Sequence, residues 1–320
     1  MGRVVEERHG VGVPARVFTF FLRFWLRPLM RYVLFTPFGM RLWKALDPLC
    51  AVLVTPPGTR RAAVRFDGFG AEWIAGPGVE AMKGSGRVVL YLHGGGFVVG
   101  GLRTHRRMVA RLSAASGAPA LSVAYRQLPG TTLLGSIADC VTAYEFLLEE
   151  GYRADEIVIA GDSAGGFLTF AAALQAVLDG LPAPGGLVAM SPLTDLDHTD
   201  KLAHANLLLD PYIPGALLSE LTPVLLGGIV LEPLHSPVNG ALAALPPTLI
   251  HVGSTEILRV DAELMAGRLS DAGVPVTLVV WDRQPHVFQI FADFCREGLR
   301  SLEEMGAFIR DLPATGEKAA

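Results

Sequence analysis

The sequence predicts an α/β fold: an eight-stranded, mostly parallel sheet with helices on both faces and a helical cap. Three observations predict it. Short apolar, β-branched runs recur along the chain with helical stretches between them, the pattern of parallel strands joined by crossover helices. One of these runs, 156–160, feeds directly into Gly161-Asp162-Ser163-Ala164-Gly165-Gly166, and a breaker-free helical stretch follows from Phe167 to Leu174. The interval from Leu193 to Leu245, with Pro211, Pro214, Pro223, Pro233 and Pro237 among leucines, is too long for a bare loop and fits a helical insertion.

Taken in order, 62–66 and 71–75 read as an early antiparallel pair, and parallel strands follow near 87–92, 120–125, 156–160, 186–190, 247–252 and 275–281. The 320 residues suit one α/β domain with a lid. The organisation expected is an N-terminal amphipathic or cap segment over 1–60 and a catalytic domain over 61–313. A cap insertion spans about 193–245, and a disordered tail covers 314–320.

A strand, a Gly-x-Ser-x-Gly turn and a helix together make a nucleophile elbow, which lifts the Ser163 hydroxyl above the sheet in a strained turn. A serine hydroxyl reacts only when a base takes its proton and donors hold the developing oxyanion. The strand at 87–92 runs into His93-Gly94-Gly95-Gly96-Phe97, where successive glycines let backbone N–H groups converge. Gly95, Gly96 and Ala164 are therefore the expected oxyanion donors, and His93 is expected to brace the loop by hydrogen bonds.

Where an elbow carries the serine, the partners follow in the order serine, acid, histidine. His286 comes after the last strand and before an apolar run, on a loop that reaches toward Ser163, and is the expected base. His251 lies inside a strand pattern and reads as a packed core residue, while His198, His204 and His235 read as surface or cap residues. Glu256, three residues past Gly253, is the expected acid. Asp261 is the alternative, and its bland reading is an ion pair on a surface helix.

The net charge of −4 hides an asymmetry, since residues 1–61 carry 10 Lys and Arg against 3 Asp and Glu. Within that basic part, Arg16, Arg23, Arg27 and Arg31 fall within about 80° on a helical wheel, and the rest of the circumference is aromatic and aliphatic. Four arginines and Pro28 argue against a spanning helix. Two readings follow for 16–35: packing over the active site as part of the cap, or an interfacial helix with its aromatic side in a bilayer and its arginines at anionic headgroups. Cys50, Cys140 and Cys295 show no pairing pattern or metal-ligand spacing, which fits a reducing, cytoplasmic setting with peripheral membrane contact as an addition. Motifs for metal, nucleotide or nucleic-acid binding are absent.

The chain resembles the hormone-sensitive-lipase-like branch of α/β-hydrolase esterases, bacterial family IV. The resemblance runs from about Val88 to the C-terminal helix and rests on His93-Gly94-Gly95-Gly96-Phe97 and Gly161-Asp162-Ser163-Ala164-Gly165-Gly166. It rests also on Ala124-Tyr125-Arg126 with Pro129, Leu245-Pro246-Pro247-Thr248 and Pro285-His286-Val287-Phe288. It implies the α/β-hydrolase fold and serine carboxylesterase activity on short- to medium-chain esters through an acyl-enzyme, with no metal or organic cofactor. The same triad serves amidases and deacetylases, membrane-interfacial lipases are a further alternative, and non-catalytic ligand-binding relatives are a remote one. Members commonly carry Asp where Glu256 stands, and an acidic, proline-rich continuation where this chain reads Gly130-Thr131-Thr132. The expected partners are a small-molecule ester, a membrane surface touched through 16–35, and a second copy paired through edge strands.

Overall fold

Alternation within the strands decides the layering. In Val88–Leu92 (β4), Val88, Leu90 and Leu92 belong to one apolar cluster and Val89 and Tyr91 to another, because successive side chains leave a strand on opposite faces. The same split divides Ile157 and Ile159 from Val158 and Ala160 in Ile157–Asp162 (β6). A strand apolar on both faces needs a helical layer on each. One layer holds Leu133–Glu149 (α4), Ala164–Leu178 (α5) and Arg259–Asp271 (α9), and the other holds Leu102–Ser116 (α3) packed on Arg296–Asp311 (α10). The computed structural model of the chain describes residues 3–33, 39, 42, 45, 47–80, 86–228, 230–232 and 235–313. The tail 314–320, residues 34–35 and Pro233 lie outside the described residues.

Nine strands form one sheet in the order β1-β9-β8-β7-β6-β4-β5-β3-β2. They are Val4–Arg8 (β1), Arg60–Arg65 (β2), Gly70–Ala75 (β3), β4, Ala120–Ala124 (β5), β6, Gly186–Met190 (β7), Thr248–Gly253 (β8) and Val276–Trp281 (β9). β2 runs antiparallel to β3 and β3 to β5; the remaining pairs are parallel. The sequence predicts eight strands, so β1 is a correction. Residues 4–8 join the sheet edge in parallel with β9, Val4 opposite Thr277 and Arg8 opposite Trp281. The two valines of β1 are about half exposed, so its sequence lacks the continuous apolar run of a buried strand.

After β1 the chain forms Val13–Phe21 (α1), a π-helical stretch Leu22–Leu26 and Arg27–Val33 (α2). Between β7 and β8 it makes Thr199–Ala203 (α6), Asn206–Leu209 (α7) and Gly215–Leu226 (α8). The parallel order brings the carboxyl ends of β4, β6, β8 and β9 to one edge of the sheet, where open α/β sheets hold their sites. Among the described residues, no helix is long and apolar enough to cross a membrane.

Candidate active site

Ser163 follows β6 with φ 55°, a left-handed conformation that is strained for a side chain larger than glycine. The turn is held by its own ladder: Ser163 N–H donates to Met190 O at 2.9 Å, and Ser163 O accepts from Phe167 and Leu193 N–H at 3.1 and 3.2 Å. Gly165 is fixed by close approach, since a Cβ there would collide with the carbonyl of Leu92. Ser163 Oγ lies 2.9 Å from His286 Nε2, and His286 Nδ1 lies 2.9 Å from Glu256 Oε2. His286 and Glu256 are both buried. Glu256 is acceptor-only, so the imidazole donates from Nδ1 and its Nε2 is the acceptor facing the serine hydroxyl. The second carboxylate oxygen, Oε1, accepts from Gly253 N–H and, at 2.8 Å, from the Ser191 hydroxyl. A buried carboxylate with each oxygen engaged is held in one orientation.

Non-glycine residues with positive φ gather here. Phe97, Ser163, Ser191, Arg283 and Val287 all take such values, and all lie on the loops around this site. Ser191 Oγ also accepts from Val287 N–H at 3.2 Å, so the turn after β7 ties the glutamate to the histidine loop. The glycine loop is tied to the elbow, with Gly94 N–H donating to Asp162 Oδ1 at 3.0 Å. Gly95 and Gly96 have φ +122° and +61°, open to glycine and costly for other residues. The N–H groups of Gly95, Gly96 and Ala164 find no acceptor among the described residues. His93 donates from Nδ1 to Gly94 O at 2.7 Å, stacks on Tyr125 and accepts the Tyr125 hydroxyl on its own carbonyl at 2.8 Å. Burial pushes its pKa down to about 4, which keeps the ring neutral.

A profile of the alpha/beta hydrolase fold matches residues 89–290. The carboxylesterase/phospholipase LipF of Mycobacterium tuberculosis is 38% identical over 297 residues, covering 91% of this chain and 77% of that protein. The esterase LipU of the same organism is 37% identical over 298 residues, 91% of this chain and 99% of that one. The crystal structure of an esterase from the bacterial hormone-sensitive lipase family superposes with a TM-score of 0.83 at 32% identity, covering 95% of this chain and 99% of that one. The chain belongs to the hormone-sensitive-lipase-like α/β hydrolases.

In this hydrolase the other candidate residues sit apart from the serine. Asp261 lies in α9 and takes no part in the line through His286. It is also no surface residue: its carboxylate accepts from Lys201 Nζ at 2.6 Å and from the N–H of Thr194 and Asp195 at 2.7 and 3.0 Å, with both side chains of the ion pair buried. The expected surface pair is thus a buried one, because α6, which carries Lys201, packs against that helix. His251 is packed in the core between Ser301 and Trp281, and burial takes its pKa down to about 3. His198 lies within the 193–245 interval read as the cap insertion. It is buried, bonded to Thr222, and depressed to about 4 by burial. His204 is exposed and accepts from Asn206 N–H, and His235 accepts from Glu232 N–H.

Several residues of the hydrolase site carry no signal in the sequence alone. Asp162 stands inside the elbow motif, yet its role appears only in three dimensions. Its carboxylate accepts the Tyr91 hydroxyl at 2.6 Å and Gly94 N–H at 3.0 Å, and pairs with His105 Nε2 at 3.4 Å. Burial works to raise its pKa, but His105 and Tyr91 hold it below the usual carboxylate value. Asp162 thereby fastens the glycine loop to the elbow. Phe18 of α1 packs on Phe291, just past His286, with ring centroids 3.9 Å apart. The guanidiniums of Arg23 and Arg27 turn onto the carbonyls of Leu208 and Leu207.

Proposed function

We propose that this protein is a serine carboxylesterase in which Ser163 is the nucleophile, His286 the general base and acid, and Glu256 the residue that orients it. The protein hydrolyses carboxylic esters, the activity in the names of its relatives LipF and LipU. The observation that carries the reading is the unbroken hydrogen-bonded line from Ser163 Oγ through both nitrogens of His286 to Glu256 Oε2, each link 2.9 Å. His286 Nε2 takes the hydroxyl proton as Ser163 Oγ attacks the ester carbonyl, and Glu256 stabilises the imidazolium that forms. The tetrahedral oxyanion accepts from Gly95, Gly96 and Ala164 N–H, each such donor lowering the barrier by about 3 kcal/mol. His286 then protonates the departing alkoxide oxygen, leaving an acyl-serine. Water, deprotonated by His286, attacks that acyl group and releases the carboxylic acid and the free serine.

Residues 199–226 act as a cap with α1 and α2, a reading supported by the Arg23 and Arg27 contacts and by Phe18 against Phe291. Peripheral contact with a lipid surface belongs to the same proposal. It is supported by the outer face of the N-terminal helix, where Val17, Phe20, Phe24 and Trp25 are each about 60–70% exposed. Three unpaired cysteines support a reducing, cytoplasmic setting. The test is hydrolysis of p-nitrophenyl esters from acetate to palmitate. Rates highest on the short and medium chains are expected, whereas inactivity across the whole series would overturn the proposal.

A further inference from the structure

Segment 206–213 is fastened to the loop that carries Glu256. Asn206 Nδ2 donates to the carbonyls of Ser254 at 2.9 Å and Glu256 at 2.7 Å. The buried Asp210 accepts Ile257 N–H on Oδ2 at 2.8 Å, and Tyr212 and Ile213 N–H on Oδ1 at 2.7 and 2.8 Å. From the other side, Arg23 and Arg27 donate to the carbonyls of Leu208 at 2.5 Å and Leu207 at 2.9 Å. These ties fix the backbone that carries Tyr212. Its ring stacks on the imidazole of His286, with centroids 5.6 Å apart and planes inclined by 22°.

We propose that Tyr212 is a positioning residue for His286: its ring holds the imidazole between Ser163 and Glu256 and stabilises the imidazolium of the transition state. The inference rests on the reading of Ser163, His286 and Glu256 as the catalytic line. The imidazole is neutral when ester binds and cationic once the serine proton has moved. An aromatic face attracts a cation more strongly than a neutral ring, so the contact strengthens as the reaction proceeds and acts on kcat. The hydroxyl of Tyr212 has no part in this. A ring at that position suffices, so phenylalanine replaces tyrosine without loss.

The test compares wild type, Tyr212→Phe, Tyr212→Leu and Ser163→Ala on p-nitrophenyl butyrate from about pH 5 to pH 9, the range in which histidine titrates, with thermal melts as a folding check. Tyr212→Leu is expected to lower kcat about tenfold with KM little changed. It should also move the acidic limb of the rate profile down, since loss of the ring removes stabilisation of the charged imidazole while the Asp210 carboxyl, which also faces His286, is kept. Tyr212→Phe should keep both the rate and the position of that limb. A Tyr212→Leu variant with wild-type kcat and an unmoved limb, whatever its melting temperature, overturns the inference. So does a Tyr212→Phe variant as impaired as Tyr212→Leu. Activity surviving in Ser163→Ala would instead overturn the catalytic line on which the inference rests.

Discussion

Glu256 and Asp261 stand five residues apart and are both buried, yet they do opposite things because of what surrounds each. Glu256 is on the turn after β8, where one oxygen is anchored by Gly253 N–H and Ser191 and the other is left for His286. Asp261 is in α9, pointing at the ammonium of Lys201. Replacing Glu256 by alanine should cut kcat on a p-nitrophenyl ester by up to about 10⁴-fold, as loss of the orienting carboxylate does in a serine–histidine–acid triad. Replacing Asp261 strands a buried ammonium and should cost about 3–5 kcal/mol of stability, with the rate constant of the folded fraction little changed. Parallel kcat and melting measurements check both; an inactive but stable Asp261→Ala would move the acid. The spacing from Gly253 favours Glu256 and leaves Asp261 as the alternative. The burial of Asp261 is not readable in that way, because its partner lies 60 residues earlier in an insertion whose path the local pattern does not reveal.

At the scale of elements, the strands buried on both faces announce themselves as apolar runs, and each lies within a few residues of its expected position. β1 does not, because a half-exposed edge strand is held by backbone pairing that leaves no apolar signature. The N-terminal helix is an intermediate case. Its two faces are visible on a helical wheel, but which face meets the protein depends on tertiary contacts. The guanidiniums of Arg23 and Arg27 turn inward to the insertion, and Phe20, Phe24 and Trp25 remain outside. Burying these rings in a bilayer interface would stabilise the bound state by on the order of 1 kcal/mol each. Replacing all three by serine should therefore weaken cosedimentation with anionic phospholipid vesicles about a hundredfold. Esterase activity on a soluble short-chain substrate should stay intact. Equal cosedimentation of the two proteins would remove this face from any membrane contact.

For the whole molecule, the fold converts distant segments into one site: the glycine loop after β4, the elbow after β6, Glu256 after β8 and His286 after β9. The motifs supply the expected members and their chain order, whereas the placement of β4 between β5 and β6 comes from crossovers that sequence spacing does not state. Burial on this scale also sets the response to pH. His93, His198 and His251 are depressed by burial to about 4, 4 and 3. Unfolded histidine titrates near 6.5, so between those values the unfolded chain binds more protons than the native one. Their contribution is fully present above about pH 6.5 and is lost as the pH falls toward 4. Asp210, raised by burial to about 6, and Asp261, also raised by burial, work the other way and offset part of that loss. The melting temperature should therefore drop steadily as the pH falls from about 6.5 to 4; a flat or rising profile would contradict the burial of neutral histidines. The most direct test of the central claim is covalent labelling with a fluorophosphonate, followed by peptide mass spectrometry and assay of Ser163→Ala. One adduct, on Ser163, and no hydrolysis by a folded Ser163→Ala are expected. An adduct elsewhere, or turnover that survives the substitution, would contradict it.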